Sequence, residues 1–276
     1  MPSDATSAPA LPRDRVRAFL IELLQAYSVF EFDAEIVADA VLHRPVPDER
    51  PSDAGSIDPT TTLDRVAVWI DEIVDGQIDP RGRPLVMAEA PALVTIDGSG
   101  AIGPVGLAAA IDRLIELAPQ SGLAAAVIRN GRDAGSSGWA ADRIAEAGLA
   151  GFLTSHVYRP GEQAGRTAST LAMPGGLIIG DGHAVAASGS ALASLLTLLA
   201  NGRRVAHKPD APNPYQVEHL LIAVAPDRGL GIDTMTRCQS REFPDSGRET
   251  SDEVIVRSST RDRLNTLASD RDAATL

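Results

Sequence analysis

Apolar positions along this chain follow two rhythms, and each predicts a different element. A helical rhythm runs through RDRVRAFLIELLQAY, where Val16, Phe19, Leu20, Leu23 and Leu24 make one stripe. It recurs in AEIVADAVLHR, with Ile36, Val37, Ala40 and Val41 on the inner face and Asp33 placed as N-cap. The two segments predict a helical hairpin. LDRVAVWIDEIVDG predicts a third helix through Val66, Trp69, Ile70 and Ile73, stopped by Gly76. LVMAEAPALVTIDGSG predicts one or two strands, with Asp97-Gly98 in a tight turn. GPVGLAAAIDRLIELAPQSG opens with Gly-Pro, which suits a helix start.

The stretch Leu123–His156 combines both rhythms: apolar strand LAAAVIRN, turn GRDAGSSG, amphipathic helix WAADRIAEAG and second strand LAGFLTSH. A right-handed crossover predicts two parallel strands whose polar ends, Arg129-Asn130 and Thr154-Ser155-His156, lie side by side. Ligands bind at such strand ends, so the site is expected there. Residues 157–172 read as a polar loop, AMPGGLIIGDGHAVAAS as a short strand between glycine turns, and ALASLLTLLANG as a buried helix. VEHLLIAVAP is a strand, EVIVRSS a last one, and SDRDAATL a frayed tail. Strand–helix alternation from 90 to 226 argues for an α/β sheet with helical cover. The expected division is a mobile stretch 1–12, a helical subdomain 13–88, a core domain 89–240, and a C-terminal strand and tail 241–276. The segment 44–62, with four prolines, is a long loop.

Composition narrows the function classes. Of 276 residues 44% are hydrophobic, enough for a sizeable globular core. No apolar run reaches the ~18 residues of a membrane span, and the N-terminus lacks a secretory pattern. The single cysteine, Cys238, permits no internal disulfide and fits a cytoplasmic location. A net charge of −12 argues against nucleic-acid or anionic-membrane partners.

Candidate chemistry gathers at the strand ends. Asp133 is either an acid/base or the anchor of an Asx turn at a helix start. Arg129, beside Asn130, either holds a carboxylate or reaches solvent. Ser136 and Ser137 either cap the helix or help its N-terminus hold an anion. His156 is the best-placed proton carrier beside Asp133, or a structural histidine. Asp181 and His183 flank Gly182 as a possible carboxylate–imidazole pair. No histidine set has metal-ligand spacing, and no nucleophile elbow, phosphate loop or dinucleotide glycine fingerprint occurs.

Taken in order, VDGQIDPRGRPLVMAEAPALVTIDGSGAIGPVGLAAAIDRLIELA, GLAAAVIRNGRDAGSSGWAADRIAEAGLAGFLTSH, MPGGLIIGDGHAVAA, VEHLLIAVAP and SDEVIVRSS resemble the malate/L-lactate dehydrogenase family of the non-Rossmann kind. The resemblance covers most of the chain. It implies an α/β fold with a mixed sheet, an N-terminal helical subdomain, NAD(P) as cofactor, a small carboxylic acid as substrate, and a homodimer across which the site is built. It also implies dinucleotide contacts at Ser136, Ser137, Thr154, Gly175, Gly176 and Asp181. Several family groups are replaced. In the segment matching the family's D-S-H-G-V-x-R pattern, Asp58 stands for the histidine and Thr62 for the arginine. Asp133 stands for a second histidine. Reduction of a 2-oxo acid needs a proton donor and a cation for the carboxylate. The substitutions leave three alternatives: a divergent dehydrogenase using Asp133, His156 or His183, with Arg129, Asn130 and Asp58 near substrate; a cofactor-independent isomerase or lyase using Asp133 and a histidine; or a non-catalytic homologue.

Overall fold

The computed structural model describes residues 10–43, 60–135, 137–158, 166–173, 177–180, 216–225 and 253–276. Chain order begins with strand β1 (Ala10–Pro12) and helices α1 (Arg13–Ala26), α2 (Glu31–Leu42) and α3 (Thr60–Val74). The hairpin β2 (Leu85–Ala90) and β3 (Leu93–Asp97) leads to α4 (Gly103–Ser121) and β4 (Leu123–Gly131). Then come α5 (Ser137–Glu146), β5 (Ala150–Tyr158), β6 (Arg166–Met173), β7 (Leu177–Gly180), β8 (Gln216–Val224), β9 (Glu253–Ile255) and α6 (Ser258–Ser269).

Seven strands form one mixed sheet in the order β2-β3-β4-β8-β5-β6-β7, with β3 and β4 parallel and the other neighbouring pairs antiparallel. The α/β class with a mixed sheet is therefore as expected. The adjacency of β4 and β5 is not. Strand β8 lies between them, Ile128 and Ser155 flanking His219 from either side. The polar ends of β4 and β5 share one edge but stand two strand spacings apart, roughly 10 Å. The crossover through α5 joins strands that are parallel to each other, and a late segment of chain fills the gap.

Two apolar clusters follow from the two rhythms. Ala124, Ala126 and Ile128 of β4 and Leu221 and Ala223 of β8 pack with Leu107, Ile111 and Leu114 of α4 and Ile144 of α5. The expected stripe of α1 is buried in full, together with Val66, Trp69 and Ile70 of α3. Helix α4 joins the two, because Ile102 and Val105 at its start belong to the helical cluster.

Three local readings change. Asp33 is not a cap: α2 starts at Glu31, and Asp33 lies buried in its first turn, paired with Arg83 at 2.5 Å. Residues 166–173 form a strand rather than a loop, because β6 completes backbone hydrogen bonding on the far side of β5. The polar C-terminal segment forms helix α6, and the tail after Ser269 is not frayed but docked, with Leu276 buried and its N–H bonded to Asn265 Oδ1. Its register with the N-terminal chain explains this: β9 pairs antiparallel with β1, and α6 packs on α1 and α3. Leu264, Ala268 and Leu276 are buried in the helical cluster. Tyr27 Oη donates to the Leu267 carbonyl at 3.0 Å, and Thr260 Oγ1 to Asp64 at 2.5 Å. The apolar segment ALASLLTLLANG and residues 44–59 of the expected loop 44–62 lie outside the described residues, while 60–62 open α3 rather than end the loop. Among the described residues no helix is long and apolar enough to cross a membrane.

Because α6 closes the helical cluster, Leu264→Ala is expected to lower unfolding stability by about 2–4 kcal/mol, as for other buried leucine truncations. Urea unfolding followed by circular dichroism measures this; a loss below about 1 kcal/mol would show that α6 is not part of the cooperative core.

Candidate active site

Strand β4 ends in a turn shaped by its own polar residues. Its inward positions are small or aliphatic up to Ile128, after which the register with β8 shifts between Ile128 and Gly131. Asn130 sits at φ 54, a region where asparagine is tolerated because its side chain bonds locally. Its Nδ2 donates to Asp97 Oδ1 at 3.2 Å, at the end of the parallel neighbour β3. The same oxygen accepts from the Ser99 hydroxyl at 2.5 Å and from its backbone N–H at 3.0 Å. These donors, the Ser99 hydroxyl foremost, hold the Asp97 carboxyl below its ordinary range against a smaller effect of burial. Gly131 is needed by its neighbours: a Cβ there would stand 3.0 Å from the Val217 carbonyl oxygen and 3.2 Å from the His219 ring. Gly103, at the start of α4, seats against the carbonyl of Asp133 where a side chain would collide.

The loop 132–135 that follows is gripped from α3. Arg132 is buried; its Nη1 donates to Glu72 Oε1 at 3.2 Å and its Nη2 to the Gln77 carbonyl at 2.6 Å. Burial pushes the Arg132 guanidinium down and the Glu72 carboxyl up, so in both groups desolvation outweighs the attraction between them. Asp133 Oδ1 accepts from the Gly135 backbone N–H at 3.0 Å, which is an Asx turn. Its other oxygen forms an ion pair with Arg65 Nη1 from α3. The two side chains are 33% and 27% exposed, so a small solute can reach the pair.

His219 supports this loop from β8. It is 3% exposed, and its Nε2 lies 3.0 Å from the Arg132 carbonyl oxygen. A carbonyl only accepts, so Nε2 carries the proton, and Nδ1 accepts from the Ser155 hydroxyl at 2.8 Å. Burial lowers the imidazole pKa from 6.5 to about 4, opposed by the bond to the Arg132 carbonyl. His219 is a neutral tie between β8, β5 and the loop, with both nitrogens engaged.

The expected site residues separate accordingly. Asp133 is at the loop, both anchoring a turn and paired with a cation. Arg129 and Asn130 are exposed at the end of β4, and Asn130 is tied to Asp97. Thr154 is buried in β5. His156 is on β5, in register with Thr167 and Glu218; its side chain, like those of Ser137 and Thr62, lies outside the described residues. Asp58, Ser136, Gly175, Gly176, Asp181 and His183 also lie outside them. Four groups escaped the sequence reading: Arg65, Glu72, Arg132 and His219. Only His219 left a trace, as a polar residue at an inward position of an otherwise apolar strand. Among the described residues no group of three ligand side chains could hold a metal ion.

The depressed pKa of His219 fixes a direction for stability. The unfolded chain takes up a proton near pH 6.5 and the folded chain only near 4. The contribution is therefore complete above about pH 6.5 and is lost as pH falls toward 4. On the order of 3 kcal/mol is at stake. Urea midpoints measured between pH 7.5 and 4.5 should fall in wild type and fall less in His219→Gln; equal slopes in both would contradict the assignment.

Residues 11–163, more than half of the chain, match the malate/L-lactate dehydrogenase family. A malate dehydrogenase of Pyrococcus horikoshii is 28% identical over 142 residues, and one of Pyrococcus abyssi is equally similar. That stretch is 51% of this chain and only 37% of each of those proteins. Among solved structures, sulfolactate dehydrogenase from Methanocaldococcus jannaschii superposes with a TM-score of 0.69 at 15% identity, covering 96% of this chain and 98% of that one. Malate dehydrogenase from Pyrococcus horikoshii gives 0.70 at 15% identity, covering 100% and 99%. At such identity these superpositions speak to the fold, while the sequence match speaks to descent. This chain belongs to the malate/L-lactate dehydrogenase family.

Proposed function

We propose that this chain is a nicotinamide-dependent oxidoreductase of a small carboxylic acid, working at the loop that follows β4. The observation that carries this reading is Arg65, a solvent-accessible guanidinium delivered by α3 to Asp133. A planar, permanently charged fork is the side chain best suited to a substrate carboxylate. Its position supports a different match to D-S-H-G-V-x-R. Moving that pattern three residues along lays Arg65 on the arginine, Leu63 on the valine and Thr61 on the histidine. Arg65 thereby takes the substrate-holding role first given to Asp58, Arg129 and Asn130.

A reduced or oxidised nicotinamide would exchange a hydride with the substrate carbon. Arg129, exposed at the end of β4, and the backbone N-terminus of α5 at Ser137 have the cationic and N–H character that a pyrophosphate uses. They fit such a group, and Ser136, Gly175, Gly176 and Asp181 complete the set by resemblance. Proton transfer falls to His156 or His183. Asp133 is engaged by Arg65, and His219 has no free nitrogen. The same fact weighs against the isomerase or lyase alternative, which needs Asp133 beside a histidine. A cytoplasmic homodimer belongs to this reading as well.

NADH or NADPH should quench protein fluorescence with saturation below a millimolar; absence of binding by both removes the reading. Arg65→Gln should raise KM for the acid about 10- to 100-fold, the cost of losing a charge-assisted contact, and leave dinucleotide affinity within a factor of about two. Unchanged KM would take the substrate cation elsewhere.

A further inference from the structure

Loop 132–135 meets α3 through two ion pairs, Arg65 with Asp133 and Glu72 with Arg132. The first pair is open to solvent, while Arg132 is buried. Arg132 spreads its fork over two partners. Nη1 donates to Glu72 Oε1 at 3.2 Å, and Nη2 to the Gln77 carbonyl at 2.6 Å, just past the end of the helix. Its backbone is fixed from the other side, since its carbonyl accepts from His219 Nε2 at 3.0 Å. Asp133 follows directly in the chain, and its own carbonyl rests against Gly103, where a Cβ would collide. Resting on the functional reading above, we infer that Arg132 is a positioning residue of the candidate site, whose two-pronged grip on α3 and the chain beyond it keeps Asp133 the standing partner of Arg65.

Stability is a poor explanation of the buried pair. Desolvation of Arg132 and of Glu72 outweighs their attraction, and apolar residues of similar size avoid that cost. Geometry explains it better. Arg65 and Asp133 are partly exposed, and an ion pair in contact with solvent holds its own side chains weakly. Asp133 gains direction from its Asx turn to the Gly135 N–H at 3.0 Å, but that turn belongs to the loop and moves with it. The loop must therefore be tied to the helix that carries Arg65, and Arg132 makes the tie. A substrate carboxylate that approaches Arg65 then meets a guanidinium already oriented by Asp133. The role is one of shape rather than of charge. A planar guanidinium serves two acceptors along fixed directions, whereas an ammonium is a point charge on a flexible stem. Lysine at 132 keeps the charge and loses the fork; glutamine at 72 loses the charge and keeps an acceptor for Nη1.

Phenylglyoxal, which modifies accessible guanidinium groups, reads this geometry without turnover. The full chain and its Arg132→Lys and Glu72→Gln variants are labelled side by side, and the rate at each arginine is followed by mass spectrometry. Arg17, bonded to Asp39 on the helical body, is the reference. Arg65 should label roughly fivefold faster or more in Arg132→Lys, and within about twofold of wild type in Glu72→Gln, with Arg17 unchanged in both. Equal Arg65 rates in wild type and Arg132→Lys overturn the inference. So does a rise shared by Arg17, which is general loosening, or a larger rise in Glu72→Gln than in Arg132→Lys, which makes the role one of charge. A second arm repeats the labelling with NADH or NADPH present and pyruvate, L-lactate or L-malate added as carboxylate probe. Wild-type Arg65 should be protected, and Arg132→Lys should need roughly fivefold more probe for half-protection. Protection equal in the two overturns the inference while leaving the functional reading in place. No protection of wild-type Arg65 by any probe, with the labelling rates as expected, leaves Arg132 as the positioning residue of the pair and sinks the reading that Arg65 holds a substrate.

Discussion

Arg132 is the pin of this structure. Its guanidinium reaches Glu72 of α3 and the Gln77 carbonyl just beyond that helix, while its own carbonyl takes the N–H of His219 from β8. One residue thus joins the helical half of the molecule, the strand-end loop and the centre of the sheet. Burial works against the charge on both Arg132 and Glu72, so the pair is a weak source of stability. Its contribution is to geometry. Arg65 and Glu72 are seven residues apart on α3, two turns, and present one face. The loop offers Arg132 and Asp133 to that face. In the observed register each cation meets an anion. Sliding the loop to exchange partners would set Arg65 against Arg132 and Glu72 against Asp133. Like charges forbid that alternative, and the loop is held where Asp133 is both fixed and accessible.

Helix α3 has a second charged face, one position earlier in sequence. Asp64 and Asp71, again seven apart, are bound by Arg257 and Thr260, and by Arg263, of the C-terminal segment. The C-terminus therefore returns to the helix that carries Arg65. Strand β1 pairs with β9 in the same region. Ends of the chain far apart in sequence stabilise one small helical body, and that body aims one arginine at the sheet. The loop after β4 is thus held by an element outside the sheet, through Arg65 and Glu72.

Element types were legible in the residues wherever the periodicity was long. The stripe of α1, the glycine stop of α3, the Gly-Pro opening of α4 and the apolar runs of β4 and β8 each predicted an observed element. Short-range polarity misled at β6 and α6, because hydrogen bonding to β5 and burial against α1 and α3 come from segments distant in sequence. The strand–turn–helix pattern and the family resemblance also marked the loop after β4, where Asp133 lies, as the candidate site.

The sequence by itself determined the secondary elements, the family and the loop that carries Asp133, because those rest on local periodicity and ordered motifs. Only the tertiary structure decided what stands beside Asp133. The insertion of β8 between β4 and β5 separates the strand ends and places His219 under the loop as a neutral tie, while α3 brings Arg65 to Asp133. Such partnerships are set by how distant segments pack, and a charge on one helix face carries no local mark of the residue it will meet.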